Sequence, residues 1–254
     1  MSIIQGTAKS GGGGGGAASF YDYPIGDSLR FDGSSYLSKT FGSGGSATTW
    51  TISFWFKLGN ISITGNEYLL SAGSGGAGFQ VRFNSSNKLD INNWTGAAYN
   101  LRKIPSMVFR DTSSFYHMVL NFSSLTSASD IYINGNLITF FDTNTDPSAS
   151  SYFNSIVTHR IGEGLLASGE FEGYLANIQF IDGQALDPYF FGEFKDNVWV
   201  PYNAFSTAGS GTATASDGDT ATDSYGTNGF HLDFADSSNI GNDVSGNNND
   251  WTVN

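Results

Sequence analysis

Hydrophobic and polar side chains alternate along several short stretches of the chain. In the clearest one, residues 50–58, Ile52, Phe54 and Phe56 alternate with polar residues, and Trp55 stands on the otherwise polar face. Because successive side chains of a strand point to opposite faces, this pattern predicts a strand with one buried face. The position of Trp55 predicts that the other face is covered by a second layer of protein or by a ligand.

Short apolar runs of this kind recur along the chain, and turn-forming residues separate them. Asn134-Gly135, between two apolar runs, predicts a type I′ hairpin. Asp182-Gly183 closes another alternating stretch, and only 187–194 predicts a short turn of helix. Many short strands joined by such turns predict an all-β fold, a jelly-roll sandwich of two antiparallel sheets.

The first 27 residues differ in composition from the rest of the chain. Gly11–Gly16 is an unbroken glycine run, and the aromatic residues Phe20, Tyr21 and Tyr23 follow it. A glycine run is the most flexible backbone that a chain can have. Region 1–27 therefore predicts either a flexible linker or an attachment arm that docks into a larger assembly, with the aromatic residues as anchors.

The pattern divides the remainder of the chain into three parts. Strand-like alternation covers 28–190, which is the predicted jelly roll. Residues 191–227, rich in glycine, serine, threonine and aspartate toward their end, predict a linker within an extended C-terminal region. Residues 228–254 predict either the start of a second β domain or a strand that returns to the first, and we expect the second domain.

Composition and charge exclude several classes of function. The 254 residues carry a net charge of -12 and contain no cysteine. Disulfides and thiolate sites are therefore excluded, and so is a broad nucleic-acid surface, which needs clustered lysine and arginine. Met1–Gln5 lacks the basic and apolar parts of a signal peptide, and we find no apolar run of membrane-spanning length. We expect synthesis in a cytoplasm and no membrane insertion.

Two groups of residues are candidates for ligand binding. An asparagine-rich loop carries Trp94 and Tyr99, which predict a carbohydrate-stacking platform; the alternative is that they cap the core. Asp217, Asp219 and Asp223 place three carboxylates in a short glycine-containing loop. Calcium prefers such oxygen-rich loops, and the alternative is a solvated acidic linker. Calcium is thus the one cofactor that the sequence suggests.

The order of these segments resembles the laminin-G-like, concanavalin A-like lectin/glucanase family over about residues 27–190. The similar stretches are a first strand and turn, a strand with a central Trp, a strand before a hairpin, the hairpin, and a closing strand: 28–33, 50–58, 116–119, 131–135 and 171–178. This resemblance implies a jelly roll without specifying a ligand. Glucanases of the family carry a Glu-x-Asp-x-x-Glu strand, and this chain lacks it. We therefore expect no enzymatic activity.

Other stretches resemble structural proteins of marine bacteriophages, such as tail fibres. They are the glycine-rich N-terminus, 180–188, 229–234 and 243–251. The resemblance implies a virion protein, a tail fibre or receptor-binding component that recognises host surface polysaccharide, contacts other virion proteins and forms a homotrimer. Two alternatives remain open: a capsid decoration or cement protein with a purely structural role, and a bacterial surface lectin.

Overall fold

The computed structural model describes residues 21–254 except 127, 167, 207 and 208, and its strands form two large antiparallel sheets. The seven-stranded sheet contains, in order, β1 (Leu29–Asp32), β13 (Glu172–Asp182), β3 (Thr49–Leu58), β8 (Tyr116–Ser123), β9 (Ala128–Ile133) and β10 (Asn136–Leu137), with β18 (Phe230–Leu232) beside β13. The eight-stranded sheet contains, in order, β11 (Phe141–Thr145), β7 (Tyr99–Pro105), β6 (Leu89–Trp94), β5 (Ala77–Phe83), β4 (Glu67–Ser74), β12 (Thr158–Ile161), β2 (Leu37–Thr40) and β19 (Thr252–Val253). The predicted all-β sandwich is confirmed.

Three short elements lie outside the two sheets. They are the hairpin of β14 (Gly192–Lys195) and β15 (Val198–Pro201), the hairpin of β16 (Thr212–Thr214) and β17 (Thr220–Thr222), and a 3₁₀ turn at Pro188–Phe190. The 3₁₀ turn falls within the stretch for which the sequence predicts a turn of helix. Within the described part of the chain, no helix has the length and hydropathy needed to cross a membrane.

The core lies between the two sheets and is dominated by aromatic rings. Trp50 of β3 stacks on Phe122 of β8, with ring centroids 4.8 Å apart and an interplanar angle of 5°. Phe79 of β5 meets the same indole edge-on at 5.3 Å, so the contact joins the two sheets. Aromatic pairs in such geometries contribute about 0.5–1.5 kcal/mol each beyond their buried area. The alternation predicted for β3 therefore orients its apolar side chains into the core.

A second layer of the chain covers the opposite face of β3. Trp55 stacks on His117 of β8, with ring centroids 4.7 Å apart. Trp199 of β15 donates from Nε1 to His117 Nδ1 at 2.9 Å, so Nδ1 is the acceptor nitrogen. His117 Nε2 therefore carries the ring proton and donates it to Ser53 Oγ at 2.8 Å. Of the two alternatives for Trp55, the structure shows the protein layer.

Residues 191–227 form much of this layer, and the prediction of a linker is corrected here. Phe191 and Phe205 are buried and stack with ring centroids 5.9 Å apart. They pack in one apolar cluster with Val119 and Ile181 from the outer face of the seven-stranded sheet. The apolar residues of the segment show no sustained alternation, and the sheet below covers only some of them.

Residues 228–254 return to the first domain, which corrects the expectation of a second one. In β18, Phe230 pairs with Phe180 of β13, and in β19, Thr252 pairs with Ser38 of β2. The rings of Phe230 and Trp251 lie 5.0 Å apart and belong to the main core. Strands this short cannot bury a large aromatic side chain on their own, so they add to existing sheets.

Candidate functional site

Polar side chains line the outer face of the eight-stranded sheet. Strands β12, β4, β5, β6 and β7 place five of them opposite one another in one row: Arg160, Ser71, Gln80, Asn92 and Arg102. In β4 and β5 the positions on either side of the row are buried apolar residues of the core. Because side chains alternate along a strand, the row faces away from the core.

One carboxylate on this outer face bridges two arginines. Asp90 of β6 accepts hydrogen bonds from Arg82 Nη2 at 2.9 Å and from Arg102 Nη2 at 3.1 Å, and its side chain is 2% exposed. Burial by itself raises the pKa of Asp90, but the hydrogen bonds from Arg102 and the charge of Arg82 outweigh it and hold the pKa below its ordinary value. Two guanidinium groups and one carboxylate leave one net positive charge on the cluster.

An irregularity between β6 and β7 brings two aromatic residues to the same face as Arg102. Trp94 lies opposite Tyr99, with ring centroids 4.7 Å apart, and the register shifts between Asn93 and Trp94. In a regular strand, Tyr99 and Arg102 would point to opposite faces, because they are three positions apart. The shift places the Arg102 guanidinium 4.5 Å from the centre of the Tyr99 ring, a cation–π contact.

The same kind of contact continues on the other side of Asp90. Arg82 donates from Nη1 to the Tyr68 hydroxyl at 2.9 Å, and its guanidinium lies 5.5 Å from the centre of that ring. Side chains from four neighbouring strands are thus joined by direct contacts. We call them the aromatic–arginine strip, in spatial order Tyr68, Arg82, Asp90, Arg102, Tyr99 and Trp94.

The strip combines the two kinds of group that recognise sugars. An exposed aromatic ring can stack on the apolar face of a pyranose, and Tyr99 is 37% exposed. Carboxylate, amide and guanidinium groups exchange hydrogen bonds with hydroxyls. Asn92 donates to Asp90 Oδ1 at 3.0 Å, while its own Oδ1 is buried without a hydrogen-bond partner among the described residues. That oxygen is enclosed by protein, whereas the side chains of Arg82 and Arg102 are 14% and 31% exposed, so their guanidinium groups are within reach of a ligand.

The predicted calcium residues are only partly brought together. Asp217 and Asp219 join Asp187, which the sequence did not suggest, with one oxygen of each within 4.8 Å of the others. Burial, and next the charges of the other two carboxylates, raise the pKa of Asp187. Asp223 lies elsewhere, buried, and accepts from the Ser206 backbone N–H at 3.0 Å, so its place in the predicted set is corrected. The donor set fits calcium chemically but supplies three of the usual six to eight ligands.

The predicted attachment residues have different positions. Phe20 lies outside the described residues, and Tyr21 is 46% exposed. Tyr23 donates its hydroxyl to Asn177 Oδ1 of β13 at 3.3 Å, and burial, reinforced by the charge of Asp233, raises its pKa to about 12. Tyr23 therefore anchors the end of the arm to its own sandwich, and an anchor to another protein would have to lie before it.

Sequence reasoning found the aromatic end of the strip but not its charged centre. Trp94 and Tyr99 do face each other, and their contact with sugar stays a prediction. Arg82, Asp90 and Arg102 were missed, although a signal was present. Arg82 and Asp90 are charged residues that each lie between two buried apolar residues of a strand, and Arg102 follows the buried Leu101. A charge that is partly removed from water in a sheet is costly unless an opposite charge on the same face pairs with it.

A family model matches most of the sandwich and supports the fold, but it does not specify a ligand. The model for the concanavalin A-like lectin/glucanases superfamily matches residues 31–188, which include both β6 and β7 of the strip. A search among curated proteins gives no sequence match.

Several solved structures are similar to this chain at low identity. The heptameric SAP-like pentraxin of Limulus polyphemus is 16% identical, with a TM-score of 0.46 over 63% of this chain and 76% of that one. The CBM40 of the Ruminococcus gnavus IT-sialidase is 14% identical, with a TM-score of 0.46 over 60% of this chain and 93% of that one. Domains LG4-5 of the mouse laminin alpha1 chain are 14% identical, with a TM-score of 0.44 over 68% of this chain and 45% of that one.

Proposed function

Because the chain belongs to the concanavalin A-like lectin/glucanases superfamily, we propose that it binds carbohydrate and that the aromatic–arginine strip is the binding surface. The observation that carries this proposal is the linkage of an aromatic pair, exposed at Tyr99 and half-buried at Trp94, to a charged centre through one side chain. Arg102 contacts the Tyr99 ring and Asp90 at the same time. Stacking and hydrogen-bonding groups are thereby held in one fixed arrangement on one face.

Because these side chains are already ordered, the protein loses less conformational entropy when a ligand binds. Two contacts restrain the Arg102 guanidinium, one with the Tyr99 ring and one with the Asp90 carboxylate. A sugar that stacks on Tyr99 and Trp94 then meets donors of Arg102 that already have defined positions. Preorganised groups of this kind contribute to affinity mainly because less freedom is lost on binding.

Removal of either ring of the aromatic pair is expected to abolish most of the glycan affinity. Trp94→Ala and Tyr99→Ala should each weaken binding by about tenfold or more, because stacking and apolar contact are lost together. The measurement is a glycan array with the full chain, with and without added calcium, followed by titration of the glycans that bind.

Phe140→Ala is the matched control for these two variants. Phe140 is an aromatic residue with 80% exposure that lies outside the strip. We expect its removal to leave glycan binding unchanged. Equal loss in all three variants would point to a general effect on the protein, and an array without any bound glycan would overturn the carbohydrate proposal.

We further propose that the protein is a non-enzymatic component of a bacteriophage virion, a tail fibre or receptor-binding protein that presents the strip to host surface polysaccharide. Support comes from the resemblance of several sequence stretches to phage structural proteins and from the acidic, cysteine-free composition. In this proposal residues 1–27 attach the protein to other virion proteins, and the assembled form is a homotrimer.

Purified particles test the virion proposal. Mass spectrometry of the particle should detect this chain, and imaging should locate it in a few trimeric copies at the tail. Hundreds of copies on the capsid would favour the decoration protein instead. If the particle does not contain this chain, both virion roles are contradicted, and the bacterial surface lectin is the remaining hypothesis.

A further inference from the structure

In the eight-stranded sheet, the two positions next to Trp94 on the neighbouring strands are glycines. Gly78 of β5 lies opposite Trp94, and Gly73 of β4 lies opposite Gly78. Two paired glycines leave the outer face beside Trp94 without side chains. Since neighbouring strands lie about 4.8 Å apart, this bare floor extends about 10 Å from β6 to β4, which is room for a further sugar ring.

Leu165 occupies this floor. Its Cδ1 lies 2.8 Å from the position that a Cβ would take at Gly78, so the leucine rests directly on the backbone of β5. Glycine within a strand often marks a place where another group approaches the backbone closely. The missing side chain at Gly78 makes room for two neighbours, the backbone of β4, whose Ala72 carbonyl oxygen is the nearest atom to that Cβ position, and the Leu165 side chain.

Polar contacts hold the segment that carries Leu165 against the sheet. Ser71 Oγ of β4 donates to the Glu163 carbonyl at 2.7 Å, and both residues are buried. The Arg160 side chain of β12 pairs with the Glu163 carboxylate at 3.0 Å. The Gly164 backbone N–H donates to the Ser168 carbonyl at 3.2 Å, which closes the turn. Leu165 is thus a fixed part of the outer face.

On the basis of the proposed carbohydrate function, we propose that Leu165 closes the binding surface on the β5 side, so that the strip takes the end of a glycan chain and not an internal stretch. A sugar ring stacked on Trp94 meets Leu165 in the direction of Gly78. The opposite direction leads over Tyr99, which is 37% exposed. A chain that enters from the Tyr99 side therefore has its terminal ring at the leucine.

Glycans of increasing length test this inference. The probes are matched disaccharides and hexasaccharides of the glucose, mannose, xylose and N-acetylglucosamine series, titrated against the full chain. Wild type should bind both members of its preferred series with affinities within about twofold of each other. Leu165→Ala should bind the hexasaccharide about fivefold more tightly than the disaccharide, because the uncovered floor adds contacts for one more ring.

Leu166→Ala is the matched control, since the neighbouring Leu166 is 71% exposed and should leave the length preference of wild type unchanged. If Leu165→Ala is too unstable to assay, Leu165→Val should show an intermediate gain. A wild-type preference for the hexasaccharide, or an unchanged ratio in both Leu165 variants, overturns the inference while carbohydrate binding stands. A wild type that binds none of the probes or array glycans overturns the proposed function, and the inference falls with it.

Discussion

Between pH 7.5 and pH 5, three buried histidines are expected to lower the free energy of unfolding by about 6 kcal/mol, because they stay neutral in the folded chain. Burial lowers the pKa of His117 to about 3 and the pKa of His159 and of His231 to about 4. In the unfolded chain each histidine has an ordinary pKa of about 6.5. Their contribution is therefore fully present above pH 6.5 and is lost as the pH falls below it.

Burial is the main cause of these lowered pKa values, and at His117 and His159 a hydrogen bond accepted by a ring nitrogen adds to it. His117 Nδ1 accepts from the Trp199 indole, and His159 Nε2 accepts from the Asn154 backbone N–H at 3.0 Å. A second ring proton would break these bonds at sites shielded from water. At His231, Nε2 lies 2.6 Å from Asn177 Oδ1. Burial lowers the pKa of His231, and the charges of Asp233 and Asp243 only partly offset this effect.

Urea unfolding at a series of pH values between 7.5 and 5 measures this effect. Burial raises the pKa of Glu67, Glu163 and Asp187, so these carboxylates act in the opposite direction as the pH falls, and the histidine effect is read from the variant below. His159→Gln should reduce the pH-dependent loss by about 2 kcal/mol, one third of the histidine effect, even if the variant is less stable at every pH. A change in the free energy of unfolding from pH 7.5 to pH 5 that is the same in His159→Gln as in wild type would contradict the neutral assignment.

The sequence predicted the sandwich well because its signals are local. Alternation along 50–58 and the Asn134-Gly135 turn depend on adjacent residues, and both Asn134 and Gly135 have the positive φ of a type I′ hairpin. The sequence predicted a cover over Trp55 but not which part of the chain forms it, because Trp199 reaches His117 from a position 82 residues away. Nothing in the composition of 191–227 indicates which surface its apolar residues cover.

In the candidate site, too, the sequence predicted what is local and missed what depends on contacts between strands. Trp94 and Tyr99 stood out because two aromatic residues lie close together in one loop. Asp90, Arg82 and Arg102 come from three strands and meet only after the register of the sheet is fixed. One shift between β6 and β7 decides whether Tyr99 and Arg102 share a face, and no local pattern in the sequence marks it.

Replacement of Asp90 by alanine is expected to destabilise the fold by about 3–5 kcal/mol, because it leaves two guanidinium groups without their shared counter-charge. The Asp90 side chain is 2% exposed, and those of Arg82 and Arg102 are 14% and 31% exposed. The loss therefore exceeds that of a surface ion pair. Urea unfolding at pH 7.5 measures it, and the same variant should lose affinity for any glycan that wild type binds.

Two further variants separate the buried charge from a general effect of the substitution. Asp142→Ala removes an exposed carboxylate that pairs with Lys88, and it should cost less than about 1 kcal/mol. In the triple variant Asp90→Ala, Arg82→Met, Arg102→Leu, no buried charge remains unpaired, so much of the lost stability should return. If Asp90→Ala costs no more than Asp142→Ala, the carboxylate does not organise the strip. If the triple variant regains stability without glycan binding, the charges serve recognition and not folding.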